Sequence, residues 1–374
     1  MTGTITSAGV DVHARSIDAA AICVATGEVT RRRFGPAPEP VLGWLKQLPA
    51  PVHACYEAGP TGFGLHRAAA AAGIRMGVVA PSKTPRAAGD QVKTDRKDAE
   101  LLARLLLAGQ LTAVRVPDAR MEARRELFRS HEQARGDLQR ARHRTSKMLL
   151  RHGRVWSEGS AWTQAHRRWL ARQEFDHPEC ELVFADYLAT VAASAARKAA
   201  LAQRLSRLAQ EPNLWPTVSR LRAFRGIDTL TALGLHLELG GDWARFHRPA
   251  QLSAWLGLTP SLHQSGQSSA QGAITKTGSL YARRLLVESS WHYRRTPYLG
   301  PTLAARQDGV PDTVLQASWR AQRRLHRVFG RMKARGKPAN VATPSRSRVE
   351  GPCGCLTLVG PQLAYAVGAA EPSP

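Results

Sequence analysis

The sequence predicts a mixed α/β sheet at the N-terminus, a long helical arm after it, and a mostly α C-terminal domain. Three observations carry this. Residues 5–34 form three short alternating segments separated by turn residues. Residues 39–108 then alternate helical periods with short apolar runs. From residue 119 a charged, proline-free stretch runs on with an apolar residue at every third or fourth place. The 374 residues are enough for two or three domains with cores of their own.

In order, ITSAGVDVH, IDAAAICV and VTRRRF read as a three-strand meander. A helix is expected over 39–48, a buried strand in PVHACYEA and an Ala-rich helix over 61–73. A second buried strand follows in IRMGVVAP, ending at Pro81. Then come a short helix near 83–89, a loop over 90–94 and a helix over 95–108. Meandering strands followed by alternating helices and strands are the order of a ribonuclease-H-like domain, placed at 1–116.

The arm is placed at 117–210. Leu127, His131, Ala134, Leu138, Ala141, Thr145 and Met148 make a narrow seam, and a second long helix over 181–209 carries Leu201, Leu205 and Leu208. The pair predicts an antiparallel hairpin or a coiled-coil arm. EPNLWPTVS (211–219), with two prolines, reads as a linker into a C-terminal domain at 211–341. LRAFRGIDTL suggests either a plain helical hairpin or a helix–hairpin–helix turn whose amides meet a DNA phosphate.

The charge narrows the partners. Lys and Arg number 53 against 29 Asp and Glu, a formal net of +24 with a pI of about 11. Such a field attracts polyanions, nucleic acid first and an anionic membrane second. The membrane reading is weak, because no run approaches the ~18 apolar residues of a span. The N-terminus lacks the basic start and long apolar run of a signal peptide. The five cysteines are odd in number, and Cys353 and Cys355 lack partners for a zinc site, so a cytoplasmic protein is expected. Residues 281–348 are the densest basic stretch, with 15 Lys and Arg against Glu288, Asp308 and Asp312. Interleaved Trp291, Tyr293 and Trp319 suit single-stranded or distorted nucleic acid.

The acids of the N-terminal domain are few and pointed in their placement. Asp11 sits mid-strand between Val10 and Val12, so it faces away from their side of the sheet. Glu57 ends a buried strand, and Asp95 and Asp98 share one face of a helix start. Each has an ordinary explanation: a turn cap for Asp11, an arginine partner for Glu57, a capped helix start for the pair. Taken together, four carboxylates would repel one another unless divalent ions lay between them. Two Mg²⁺ ions roughly 4 Å apart, held by hard oxygens, serve phosphoryl transfer.

GVDVHARSID, CYEAGPTGFGLHRA, VVAPSKTPRAAGDQVKTDRKDAELLARLL and the stretch from LRAFRGIDTL to VESSWHY resemble the DEDD transposases of bacterial insertion sequences related to the Piv invertases, a family of bridge-RNA-guided recombinases. The resemblance spans about residues 5–341. It implies a RuvC-like fold in which Asp11, Glu57, Asp95 and Asp98 bind Mg²⁺, with Mn²⁺ as a substitute. It implies a nucleophilic serine that forms a covalent phosphoserine link to DNA. The matching position is Ser265, with Ser261, Ser268 and Ser269 close by. It further implies double-stranded DNA (element ends and target), a structured guide RNA and a homo-oligomer, dimer or tetramer, as partners.

Ser265 has His263 near it in sequence but no carboxylate, so its activation is expected from the acidic site. Lys276, Arg283 and Arg284 are candidates for contacts to the cut strand. The rival readings are a RuvC-like nuclease or junction resolvase that uses water, and a decayed, non-catalytic nucleic-acid-binding transposase. Residues 342–374 are Pro- and Gly-rich without a helical period, which suggests a frameshifted or diverged tail.

Overall fold

The computed structural model describes residues 6–85, 95–266 and 268–336; for Asp95, Arg96, Pro249, His263, Ser268, Ser269 and Gln271 it describes the backbone only. The expected loop at 90–94 and the tail beyond 341 lie outside these residues. The chain divides into two compact units, Met1–Asp118 and Ala119 onward, so the helical arm and the C-terminal segment belong to one unit.

The first unit is a five-stranded mixed sheet. Strands β1 (Thr6–Val12), β2 (Ile17–Cys23) and β3 (Val29–Phe34) form the antiparallel meander. Helix α1 (Pro38–Gln47), strand β4 (Val52–Glu57), helix α2 (Gly64–Ala71), strand β5 (Arg75–Val79) and helix α3 (Asp95–Leu107) follow. Strand order is β3-β2-β1-β4-β5, with β4 and β5 parallel to β1. This mixed sheet is consistent with the ribonuclease-H-like class. A single tight turn spans Pro81–Lys83, and the short helix expected near 83–89 falls mostly on residues outside the described set.

The period of two sorts the sheet's faces. Ala8, Val10, Ala19, Ala21, Ala54, Tyr56, Met76 and Val78 share one core with Val41, Leu45 and Ala69 of α1 and α2. Ser7, Gly9, Ala20 and Cys55 lie on the other face. That face is unusually small, and α3 presses onto it. A Cβ on Gly9 would come within 2.1 Å of the Ala99 carbonyl oxygen and 2.5 Å of the Ala103 nitrogen. The Ser7 hydroxyl donates to the Ala103 carbonyl at 2.8 Å, and the Cys55 thiol reaches the Leu102 carbonyl at 3.8 Å. Any side chain at residue 9 would push the helix off the sheet.

The second unit is helical with one small hairpin. Helix α4 (Ala119–Arg151), helix α5 (Gln164–Leu170) and helix α6 (Pro178–Leu208) make the arm. Pairing of Arg124 with Glu211, of Arg197 with Asp137 at 3.0 Å, and of Met148 with Phe184 in one apolar cluster shows α4 and α6 running antiparallel. His131, Ala134, Leu138, Ala141, Thr145 and Met148 of the expected seam are buried, as is Leu205 opposite. The arm is a helical hairpin, and a supercoil is not established.

Helix α7 (Trp215–Arg222) starts inside the expected linker. Its proline lies in the first turn, where no backbone donor is needed, and Leu214 and Val218 are buried. Helix α8 (Thr229–Leu239), helix α9 (Pro249–Trp255), strands β6 (Pro260–Ser265) and β7 (Ser268–Ile274), and helices α10 (Leu280–Ser290), α11 (Pro301–Gln307) and α12 (Asp312–Ala334) complete it. The turn before α8 is wedged inside the fold: Ile227 is fully buried and Arg306 donates to its carbonyl at 2.6 Å. Asp228 caps α8 by accepting from the Thr231 amide at 2.7 Å, occupying a donor that a phosphate would want.

Buried His236 on α8 makes this unit acid-sensitive. Burial, with Arg124 adding to it, pushes the imidazole down to about 4. Between that value and the ordinary 6.5 the unfolded chain binds the proton and the folded chain does not, so stability is full above pH 6.5 and falls as pH drops toward 4. The loss over that window is about 3 kcal/mol. Urea melts of His236→Gln should show a shallower acid-side decline than wild type, and parallel pH curves for the two would refute the assignment.

Candidate active site

Three of the four nominated acids lie toward one end of the α3-covered face. Asp11 is two residues beyond Gly9 on β1, and Glu57 is two beyond Cys55 on β4. The parallel register pairs Val10 with Tyr56, so Asp11 and Glu57 are the next step on neighbouring strands. On α3, Asp98 is one turn before Leu102, against which Cys55 rests, and Asp95 is one turn before Ala99, against which Gly9 rests. Strand ends and the helix's first turn therefore meet at the same edge. The side chain of Asp95 lies outside the described residues.

A further acid stands in this row. Asp18 of β2 is directly opposite Asp11 in the antiparallel ladder, so both point to the same face. It is 2% exposed, and its Oδ2 has no hydrogen-bond partner. Its cation is Arg33 of β3, whose Nε lies 3.7 Å away. Across the sheet the row reads Arg33, Asp18, Asp11, Glu57. His13 adds an imidazole 3.0 Å from the Asp11 carboxylate. Glu57 and burial act together on Cys55: burial first, then the neighbouring carboxylate, push its thiol up to about 12. The thiol stays protonated and offers no soft ligand or nucleophile.

The donor set suits a hard divalent cation. It consists of carboxylate oxygens, and one buried oxygen, Asp18 Oδ2, lacks a donor. Among the described residues no three Asp, Glu, His or Cys side chains are gathered at the distance one ion requires.

Residues 260–274 form an antiparallel hairpin in which Ser265 pairs with Ser268. Gly266, at φ 55°, takes the left-handed turn conformation that such tight hairpins need. Ser265 is exposed, at the tip of the hairpin. The base is clamped: a Cβ on Gly278 would lie 1.9 Å from the Trp255 carbonyl oxygen, and one on Gly257 would lie 2.2 Å from the Thr277 nitrogen. Alternating small and polar residues hid this hairpin, because neither strand has an apolar face to bury. The side chains of His263, Ser268 and Ser269 lie outside the described residues, and Ser261 is half-buried.

The nominated cations fare differently. Lys276 is exposed beside the clamp, in the left-handed region at φ 55° that few side chains adopt. Arg283 is 9% exposed and donates to the carbonyls of Leu256 at 2.7 Å and Thr277 at 2.8 Å, so it fastens the hairpin base. Arg284 pairs with buried Glu132 of α4, which also meets Arg135 at 3.2 Å. Both guanidiniums are occupied within the fold. Asp18, which the sequence reading passed over, had a visible signal: a charged residue inside the otherwise apolar IDAAAIC.

The comparisons with known proteins agree along the chain. A model described as the transposase IS116/IS110/IS902 family matches residues 218–304, and a DEDD transposase model of the IS110 type matches residues 8–153. The chain is 39% identical over 307 residues to y4qE of Sinorhizobium fredii, named a transposase, covering 81% of this chain and 75% of that one. It is 29% identical over 340 residues to the transposase for insertion sequence element IS1533 of Leptospira borgpetersenii, covering 88% and 97%. It is also 38% identical over 71 residues to the transposase for insertion sequence element IS1111A of Coxiella burnetii, 19% of each chain.

Proposed function

Because this chain belongs to the IS116/IS110/IS902 family of transposases, we propose that it cuts and rejoins DNA through a divalent-metal site at Asp11, Glu57, Asp95 and Asp98 and a nucleophile at Ser265. The observation that carries this reading is the convergence of β1, β4 and the first turn of α3 at one acidic edge, secured by Gly9. A bound Mg²⁺ there supplies charge neutralisation and Lewis-acid polarisation of a phosphodiester. The four carboxylates would hold such an ion, and Asp18 would add negative charge beside Asp11 while Arg33 offsets part of it.

Ser265 Oγ attacks phosphorus from its clamped hairpin. The Oγ–P bond forms as the P–O bond to the departing strand breaks, and the proton lost by the serine is balanced by the one that the departing oxygen takes up to leave as a hydroxyl. Attack by a second strand's hydroxyl reverses these changes and rejoins the DNA. Element ends and target are the DNA partners. A structured guide RNA and assembly into a dimer or tetramer belong to the same reading, supported by the +24 charge and the long arm.

The test is cleavage of duplexes carrying the element's ends. Chelation with EDTA should stop it, and added Mg²⁺ or Mn²⁺ should restore it. Full turnover in EDTA would contradict the site.

A further inference from the structure

Helix α12 separates its charges. Val314, Ala317, Ser318, Ala321, Gln322 and Leu325 are buried on one side. On the other, Arg320, Arg323, Arg324, Arg327 and Arg331 are exposed. Their steps of three, one, three and four keep all five within about 100° of the helix circumference. They line an open groove of about 510 Å³. No acidic residue lines it, and no carboxylate pairs with any of the five among the described residues. By contrast, Arg124, Arg129, Arg135 and Arg284 of the same unit each meet a glutamate. Five guanidiniums at helical neighbour spacing repel one another, so this face is relieved by an external polyanion.

We propose that the arginine stripe of α12 is a seat for the phosphate backbone of duplex DNA. The stripe spans roughly 16 Å at ~1.5 Å per residue, long enough for several phosphates of one strand. Single-strand binding uses successive stacking platforms along the basic track, and the five positions of the stripe itself carry none. Tyr293 is 2% exposed and Trp291 is half-buried under Arg294; the exposed aromatics are Trp319, at 42% and at the stripe's edge, and Tyr298, at 64% and off α12, its amide donating to Gln322 on the buried side of that helix. Guanidinium forks pair well with phosphate oxygens, and a row of them along one helix face can follow a strand's backbone. The choice of DNA over RNA rests on the function proposed above; the binding itself does not depend on the metal site or on Ser265.

The test is fluorescence anisotropy of the full chain with a labelled mixed-sequence DNA duplex, in EDTA, over a KCl series. The quintuple glutamine variant (R320Q/R323Q/R324Q/R327Q/R331Q) should lose about 2 or more from the slope of log affinity against log salt, each phosphate contact contributing about 0.9. The quintuple lysine variant should keep the slope. Two half-stripe variants, R320Q/R323Q and R327Q/R331Q, should each lose part of it, and serve if the full set fails to fold. An unchanged slope in the glutamine variants, an equal loss in the lysine variant, or a loss seen on duplex RNA and not on DNA would overturn the assignment. Because no cleavage occurs in EDTA, failure here leaves the chemistry at Asp11 and Ser265 standing, and failure there leaves this seat standing.

Discussion

Asp11→Ala reduces DNA cleavage by about a thousandfold or more, the several kcal/mol that a positioned metal supplies to phosphoryl transfer. DNA binding persists in this variant. Asp11 is the central acid of its row, with Glu57 on the next parallel strand and Asp18 opposite it. Removing it opens the middle of any ligand set built there. The fold should survive, since the Asp11 side chain is partly exposed, at 20%, and its loss relieves repulsion with buried Asp18. Single-turnover cleavage, duplex anisotropy and Mn²⁺ binding followed by electron paramagnetic resonance separate these effects. Cleavage within tenfold of wild type, or unaltered Mn²⁺ binding, would show that the ion is held elsewhere. Asp11→Asn, which keeps the volume and removes the charge, should match the alanine variant.

Ser265→Ala eliminates the covalent protein–DNA adduct that survives denaturation, and with it strand exchange. The alanine lacks the only atom that forms the Oγ–P bond, so the loss is complete. The clamp at Gly257, Gly278 and Arg283 is untouched, so the hairpin keeps its place. Denaturing gels with end-labelled duplex report the adduct directly. If Ser265→Ala still nicks DNA at the wild-type rate, water is the nucleophile and the resolvase-like reading replaces this one. If the adduct persists, the nucleophile is another residue, with Ser261, Ser268 and Ser269 the first to examine.

Much of the first unit was legible before any coordinates. The strands of the meander announce themselves through alternation and turns, and the α3 start through its paired acids. The placement of Asp11 between Val10 and Val12 was enough to turn it away from their core. Other features were hidden for identifiable reasons. Asp18 acquires meaning only from its cross-strand partner, and register is set by pairing rather than by either strand alone. The linker reading of 211–219 failed because proline both ends and begins helices, and burial of Leu214 and Val218 decided between them. Arg283 and Arg284 looked like phosphate ligands because arginine is the same letter whether exposed or spent on a carbonyl.

The sequence by itself determined the basic character of the chain and, through motifs that resemble a known family, the family itself and the acids and serine proposed for its site. Only the tertiary structure decided which charges are available. It buried Arg283 against two carbonyls, tied Arg284 to Glu132, and left the five arginines of α12 exposed together. The physical reason is that a charge is defined by its surroundings: desolvation and partners, which arise from distant parts of the chain, determine whether it serves the fold or faces a ligand.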